Sequence, residues 1–174
     1  MPQALKIVLV AVVVVAAVYD LRFRRIPNWL NVSGAVLGIG MNCCLFARHG
    51  IVLAALGLVL PLAIYLPLYF LRAMGAGDVK LMAAVGSIVG PHNWLAILLC
   101  TAFAGGLLGL GVSVAKGRLR QTMYNLAVLI HELFHLRAPA DRHKELDVKQ
   151  EPSLRLPHGV AIAAGSLAFL ALQF

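Results

Sequence analysis

Six apolar stretches, at 4–19, 30–47, 51–71, 79–90, 94–115 and 156–174, run through the chain between breaks of Pro, Gly or charged residues. Backbone amides in hydrocarbon have no water to bond. A stretch near 20 residues long is therefore stable in a bilayer as a helix, which satisfies its own hydrogen bonds. The 174 residues are 61% hydrophobic and 13% charged, against about 45–50% and 25% in soluble domains. These values exclude an ordinary soluble enzyme. They predict an all-α polytopic membrane protein, a single membrane domain over 1–174 with about six transmembrane helices. The stretch at 79–90 is shorter than the roughly 17 residues a crossing needs. It therefore predicts a helix that is tilted, begins before Asp78, or is shielded from lipid by its neighbours. The start of the chain has the charge and length of a signal peptide, but its apolar run ends in Tyr19, Asp20 and a basic turn rather than a small-residue cleavage site. It reads as an uncleaved first span.

The formal net charge is +8, and of the 15 Lys and Arg residues all except Lys6 and Arg48 fall in the loops at 20–29, 72–80 and 116–155. The positive-inside rule places those loops in the cytoplasm and both termini outside it. This distribution accounts for the excess of positive charge through membrane lipids. No basic run interleaves with aromatics, so no nucleic acid partner is expected. Cys43, Cys44 and Cys100 lie within apolar stretches, with no C-x-x-C pair to suggest a zinc or redox site. Glycines such as Gly34, Gly38, Gly105 and Gly106 are dense in the spans, as close helix packing in a membrane requires. The loop at 116–155 carries an apolar stretch at 123–136 that is too short and polar to span, and reads as an interfacial helix.

Of seven acidic residues, Asp20 and Asp78 stand at the ends of apolar stretches, and both map to the cytoplasmic face. Asp78 closes Gly75-Ala76-Gly77-Asp78, and Asp20 precedes Ile26-Pro27-Asn28 at the start of the next span. Gly75 and Gly77 leave room for an extended peptide to approach a carboxylate. Two carboxylates brought together share a proton, one activating water as a base and the other donating to the carbonyl oxygen. Such chemistry needs no cofactor. The same glycines and acid also suit a simple turn with Asp as helix cap. Lys80 and Asn28 lie near the acids in sequence and are candidates to tune Asp78 or to touch substrate; as a topology signal and a helix-end polar residue they need neither role.

The stretches Tyr19-Asp20-Leu21-Arg22-Phe23-Arg24-Arg25-Ile26-Pro27-Asn28-Trp29-Leu30, Gly75-Ala76-Gly77-Asp78-Val79-Lys80-Leu81-Met82 and Leu156-Pro157-His158-Gly159-Val160 resemble the type IV prepilin peptidases, aspartic proteases of the G-x-G-D class. The resemblance covers most of the chain outside 116–155. It implies that Asp20 and Asp78 are the catalytic acids, that Gly75 and Gly77 shape the site, and that the site faces the cytoplasm from a bacterial or archaeal inner membrane. It also implies a substrate, a prepilin or pseudopilin with a short basic leader before an apolar helix. Larger members carry an insert with paired C-x-x-C motifs and N-methylate the processed pilin. A short chain without that insert resembles the peptidase-only branch of the Flp, or tight-adherence, pilus type.

One motif competes. His131-Glu132-Leu133-Phe134-His135 fits H-E-x-x-H, in which two His on one helix face bind zinc and Glu acts as a base. It points to a zinc metalloprotease, or, as a polar helix face at the headgroups, to no metal at all. A non-enzymatic membrane assembly subunit is the third reading.

Overall fold

The computed structural model describes residues 1–71, 74–115, 117, 124 and 158–173. Within them the regular structure is helical: α1 (Gln3–Phe23), α2 (Asn28–Phe70), α3 (Ala76–Ala115) and α4 (His158–Leu172). The first three are long and apolar enough to cross a membrane, and α4 is a shorter apolar helix of 15 residues. The expected interfacial helix at 123–136 and the H-E-x-x-H motif lie outside the described residues.

Both long helices are broken where the apolar stretches were expected to end. In α2 the backbone leaves helical geometry at Ala47 (φ 50°, ψ −132°), and in α3 at Gly90 (φ 78°, ψ 168°), just before Pro91. A straight helix of the 43 residues of α2 would be about 65 Å long. Gly38 and Gly57, from opposite sides of the Ala47 break, nevertheless both lie against residues 86–88 of α3. The chain therefore folds back at Ala47. It folds back again at Gly90: the second half of α3 packs Thr101 on Gly165 and Gly105 on Ala161, while Gly159, at the start of α4, lies against Asp20.

The centre of the molecule is the first half of α3. Every residue from 81 to 90 is buried, and the helix begins at Ala76, ahead of Asp78. The shortness of the 79–90 stretch is thereby explained, because this segment is lined by protein and does not have to match a lipid thickness. Both halves of α2 press on it. A Cβ at Gly38 would come within 2.8 Å of the Ile88 nitrogen, and Gly57 and Gly86 approach so closely that a Cβ on either would overlap the other's carbonyl oxygen. Contact at this range brings Cα–H groups and carbonyls of two helices together. Elsewhere the surface is apolar, with Leu99 and Phe103 each 71% exposed on the outer side of α3, as a lipid-facing surface demands.

A broken helix away from water must have its freed carbonyls satisfied by something else. Pro91 has no N–H to offer the Ser87 carbonyl. The buried side chain of Asn42 fills that need, its two Nδ2 hydrogens shared among the carbonyls of Gly38 (2.9 Å), Ser87 (3.1 Å) and Ile88 (3.0 Å), and Asn93 Nδ2 donates to Val89 O at 3.0 Å. Replacing Asn42 by Leu, of similar shape, should destabilise the protein by about 1–3 kcal/mol, read as a lower unfolding midpoint in detergent. Gly57→Ala should be more damaging still, whereas Gly106→Ala, with open space around the glycine, should leave the midpoint within about a degree of wild type.

Candidate active site

The buried stripe of α1 runs through Leu5, Leu9, Val12, Val13 and Ala16, and the next position on that face is Asp20, 8% exposed. Helical spacing thus aims the acid at the core rather than at solvent. α1 continues for three residues to Phe23 and is closed by Arg24 in the left-handed region (φ 50°), whose N–H bonds Asp20 O at 2.9 Å. Tyr19 braces the turn that follows, its ring 6.0 Å from Trp29 in an edge-on contact and 5.5 Å from Phe23.

Asp78 lies in the first turn of α3, its backbone N–H bonded to Gly75 O at 3.2 Å and its carboxylate accepting a hydrogen bond from the Gly75 backbone. Asp20, near the end of α1, and Asp78, in the first turn of α3, lie on either side of the turn that carries Ile26, which Gly77 of α3 approaches. The two acids, far apart in sequence, are thus gathered into one cluster at one end of the molecule. The two glycines before Asp78 do different things. A Cβ on Gly75 would sit 3.1 Å from Asp78 Oδ2, so Gly75 is the glycine that keeps space beside the carboxylate. A Cβ on Gly77 would sit 3.3 Å from Ile26 Cβ, so Gly77 lets α3 pack against the turn between α1 and α2. Asn31 Nδ2 reaches Gly77 O at 3.5 Å, on the same seam.

Lys80 and Asn28 find each other: Lys80 Nζ donates to Asn28 Oδ1 at 2.9 Å in an exposed position. This contact ties the start of α3 to the start of α2 at the rim of the cluster. His131, Glu132 and His135 lie outside the described residues.

A residue without a role in the sequence reading holds Asp20. Gly159 donates its backbone N–H to Asp20 Oδ2 at 2.7 Å, and a Cβ there would come within 2.9 Å of both Asp20 Cβ and Oδ2. His158 precedes it. Tyr65 continues the buried α2 stripe of Gly57 and Pro61 and stacks edge-on to the buried Trp94 with ring centres 6.2 Å apart. His158-Gly159 was visible as part of a familiar stretch, but its partner Asp20 lies 139 residues away.

A cluster of two acids, flanked by glycines and a helix N-terminus at one end of an apolar helical molecule, suits proteolysis at a membrane surface. The model of the type IV leader peptidase family matches residues 7–110, a range that holds both acids and both glycines. The chain belongs to the type IV leader peptidase family. It is accordingly a peptidase, and its apolar helices mark it as a membrane protein. No curated protein and no solved structure matches the chain significantly. α4, which supplies the N–H to Asp20, lies beyond the matched range of this peptidase. Gly159→Ala should displace the Asp20 carboxylate and lower peptidase activity by about tenfold to a hundredfold. Gly105→Ala, whose Cβ would make ordinary contact at 3.5 Å with Ala161, should retain activity in the same assay.

Proposed function

We propose that this peptidase is an aspartic endopeptidase that removes the short basic leader of prepilins or pseudopilins, with Asp20 and Asp78 as its catalytic acids. The observation that carries the reading is the placement of both acids at one end of the helices, Asp20 buried near the end of α1 and Asp78 in the first turn of α3, whose Gly77 packs on Ile26 of the turn after α1. One carboxylate takes a proton from water as the water oxygen attacks the scissile carbonyl carbon, and the other acid protonates the carbonyl oxygen. Collapse of the tetrahedral intermediate breaks the C–N bond. The proton first taken from water passes to the leaving nitrogen, a hydroxyl proton of the intermediate returns to the other carboxylate as the C=O re-forms, and the dyad is ready for a second turnover. The reaction is complete without a cofactor.

Several features support the finer assignments. Arg22, Arg24, Arg25 and Lys80 lie at the same end as the acids and are exposed, which by the positive-inside rule sets that end in the cytoplasm of a bacterial or archaeal inner membrane. With the folds at Ala47 and Gly90 taken as turns at the opposite face, the helical segments correspond to six crossings. A substrate helix lying alongside them presents its cytoplasmic end, where a leader joins it, at the level of Asp20 and Asp78. The sequence holds no C-x-x-C pair, so the reading is a peptidase without N-methyltransferase activity, of the Flp pilus type.

The test is cleavage of a prepilin with a basic leader by the purified protein in detergent. Asp20→Asn and Asp78→Asn should each lower kcat by at least about a thousandfold while the protein still inserts and purifies normally. Glu132→Gln and a metal chelator should change nothing. Turnover retained by either Asn variant sinks the dyad, and loss of activity with chelator and Glu132→Gln moves catalysis to the zinc motif.

A further inference from the structure

We infer that Asn31 and Asn28, one turn apart at the start of α2, are positioning residues for Asp78: they hold α3 at residues 77 and 80, on either side of the acid. The inference rests on the aspartic reading above and gives α2 a part in it.

The face of α2 that carries Asn31 lies between the two helices that carry the acids. A Cβ on Gly34, three residues further along that face, would stand 3.3 Å from Val12 on α1 and 3.4 Å from Ala84 on α3, and Val12 belongs to the buried stripe that ends in Asp20. Asn31 is one turn nearer the end where the acids lie. It is 4% exposed, and its Nδ2 donates to Gly77 O at 3.5 Å. Asn28 is one turn nearer still and accepts from Lys80 Nζ at 2.9 Å. Asp78 stands between the two residues so held. The first turn of α3 therefore cannot rotate or slide against α2 without breaking one contact or the other, and Asp78 would move with it.

Stability does not account for Asn31. Asn42, equally buried, shares its amide among three carbonyls. Asn31 makes one long bond, to a carbonyl whose own helix supplies it a backbone N–H, and its buried Oδ1 has no hydrogen-bond partner among the described residues. A buried acceptor left unpaired costs stability, so leucine in its place should fold at least as well. What leucine cannot do is hold Gly77. The Lys80 ammonium, engaged with Asn28, likewise serves the placing of α3 rather than a contact with substrate.

Positioning and packing predict opposite results for one substitution. The full-length protein is assayed in detergent as wild type, Asn31→Leu, Asn28→Leu, Lys80→Met and the double variant Asn28→Leu/Lys80→Met, with kcat, KM and the unfolding midpoint determined for each. Asn31→Leu should lose about tenfold or more in kcat, with KM within about twofold and the midpoint at or above that of wild type. Asn28→Leu and Lys80→Met should each lose about threefold in kcat, and the double variant no more than the larger single loss, because the two substitutions remove one shared contact. A kcat for Asn31→Leu within about twofold of wild type, or a loss that accompanies a lowered midpoint, overturns the inference. So do losses at Asn28 and Lys80 that multiply or that fall on KM, which would assign Lys80 to the substrate. A wild type that cleaves no prepilin overturns the aspartic reading and this inference together, an outcome distinct from cleavage that ignores these substitutions.

Discussion

The burial of residues 81–90 of α3 is the constraint on which the rest of the structure depends. This segment is short for a crossing and is lined by protein, and it ends in Gly90-Pro91, which frees buried carbonyls. Asn42 answers by donating to Ser87 O and Ile88 O, and it can do so only because Gly38 and Gly57 let both halves of α2 come close. Small residues and one buried amide thus act as a unit. The glycines without the amide would leave open carbonyls, and the amide without the glycines could not reach them.

With that segment at the centre, the position of the site follows from direction. α1 ends and α3 begins at the same end of the molecule, and the folds at Ala47 and Gly90 return α2 and the second half of α3. Asp20 reaches inward because it occupies the next position on a stripe that begins at Leu5. Asp78 reaches the same place because α3 starts ahead of it and packs Gly77 on Ile26. The acids are brought together by the packing of α1, α2 and α3, and no contact between their own neighbours in sequence is required.

Much of this was legible in the residues, and what was not has a physical reason. Helical periodicity and Pro or Gly breaks are local, so the apolar stretches, the ends at Ala47 and Gly90 and the early start of α3 could be anticipated. Asp20 and Asp78 stood out through their local sequences, Gly75-Ala76-Gly77 before one and Ile26-Pro27-Asn28 after the other, since an acid at a helix end costs little by position alone. Lys80 and Asn28 were singled out by proximity in sequence, whereas space pairs them with each other. Gly77 resembled a substrate-clearing glycine and is in contact with Ile26, a distinction made by a neighbour across the turn. Gly159 enters the cluster through a tertiary contact, and no periodicity in its own segment encodes a partner on another helix.

The two acids also differ in how they are held. Each accepts a hydrogen bond from a backbone N–H, that of Gly159 for Asp20 and that of Gly75 for Asp78. Backbone donors do not titrate, carry little conformational entropy of their own, and at the start of α4 lie at the positive end of a helix. Glycine is the residue that allows this at both places, since a Cβ would stand 2.9 Å from Asp20 Oδ2 or 3.1 Å from Asp78 Oδ2. The donor for Asp78 comes from the turn that leads into its own helix, so that acid and its support move together. The donor for Asp20 comes from the far end of the chain, so the carboxylate is correctly held only when α4 has docked.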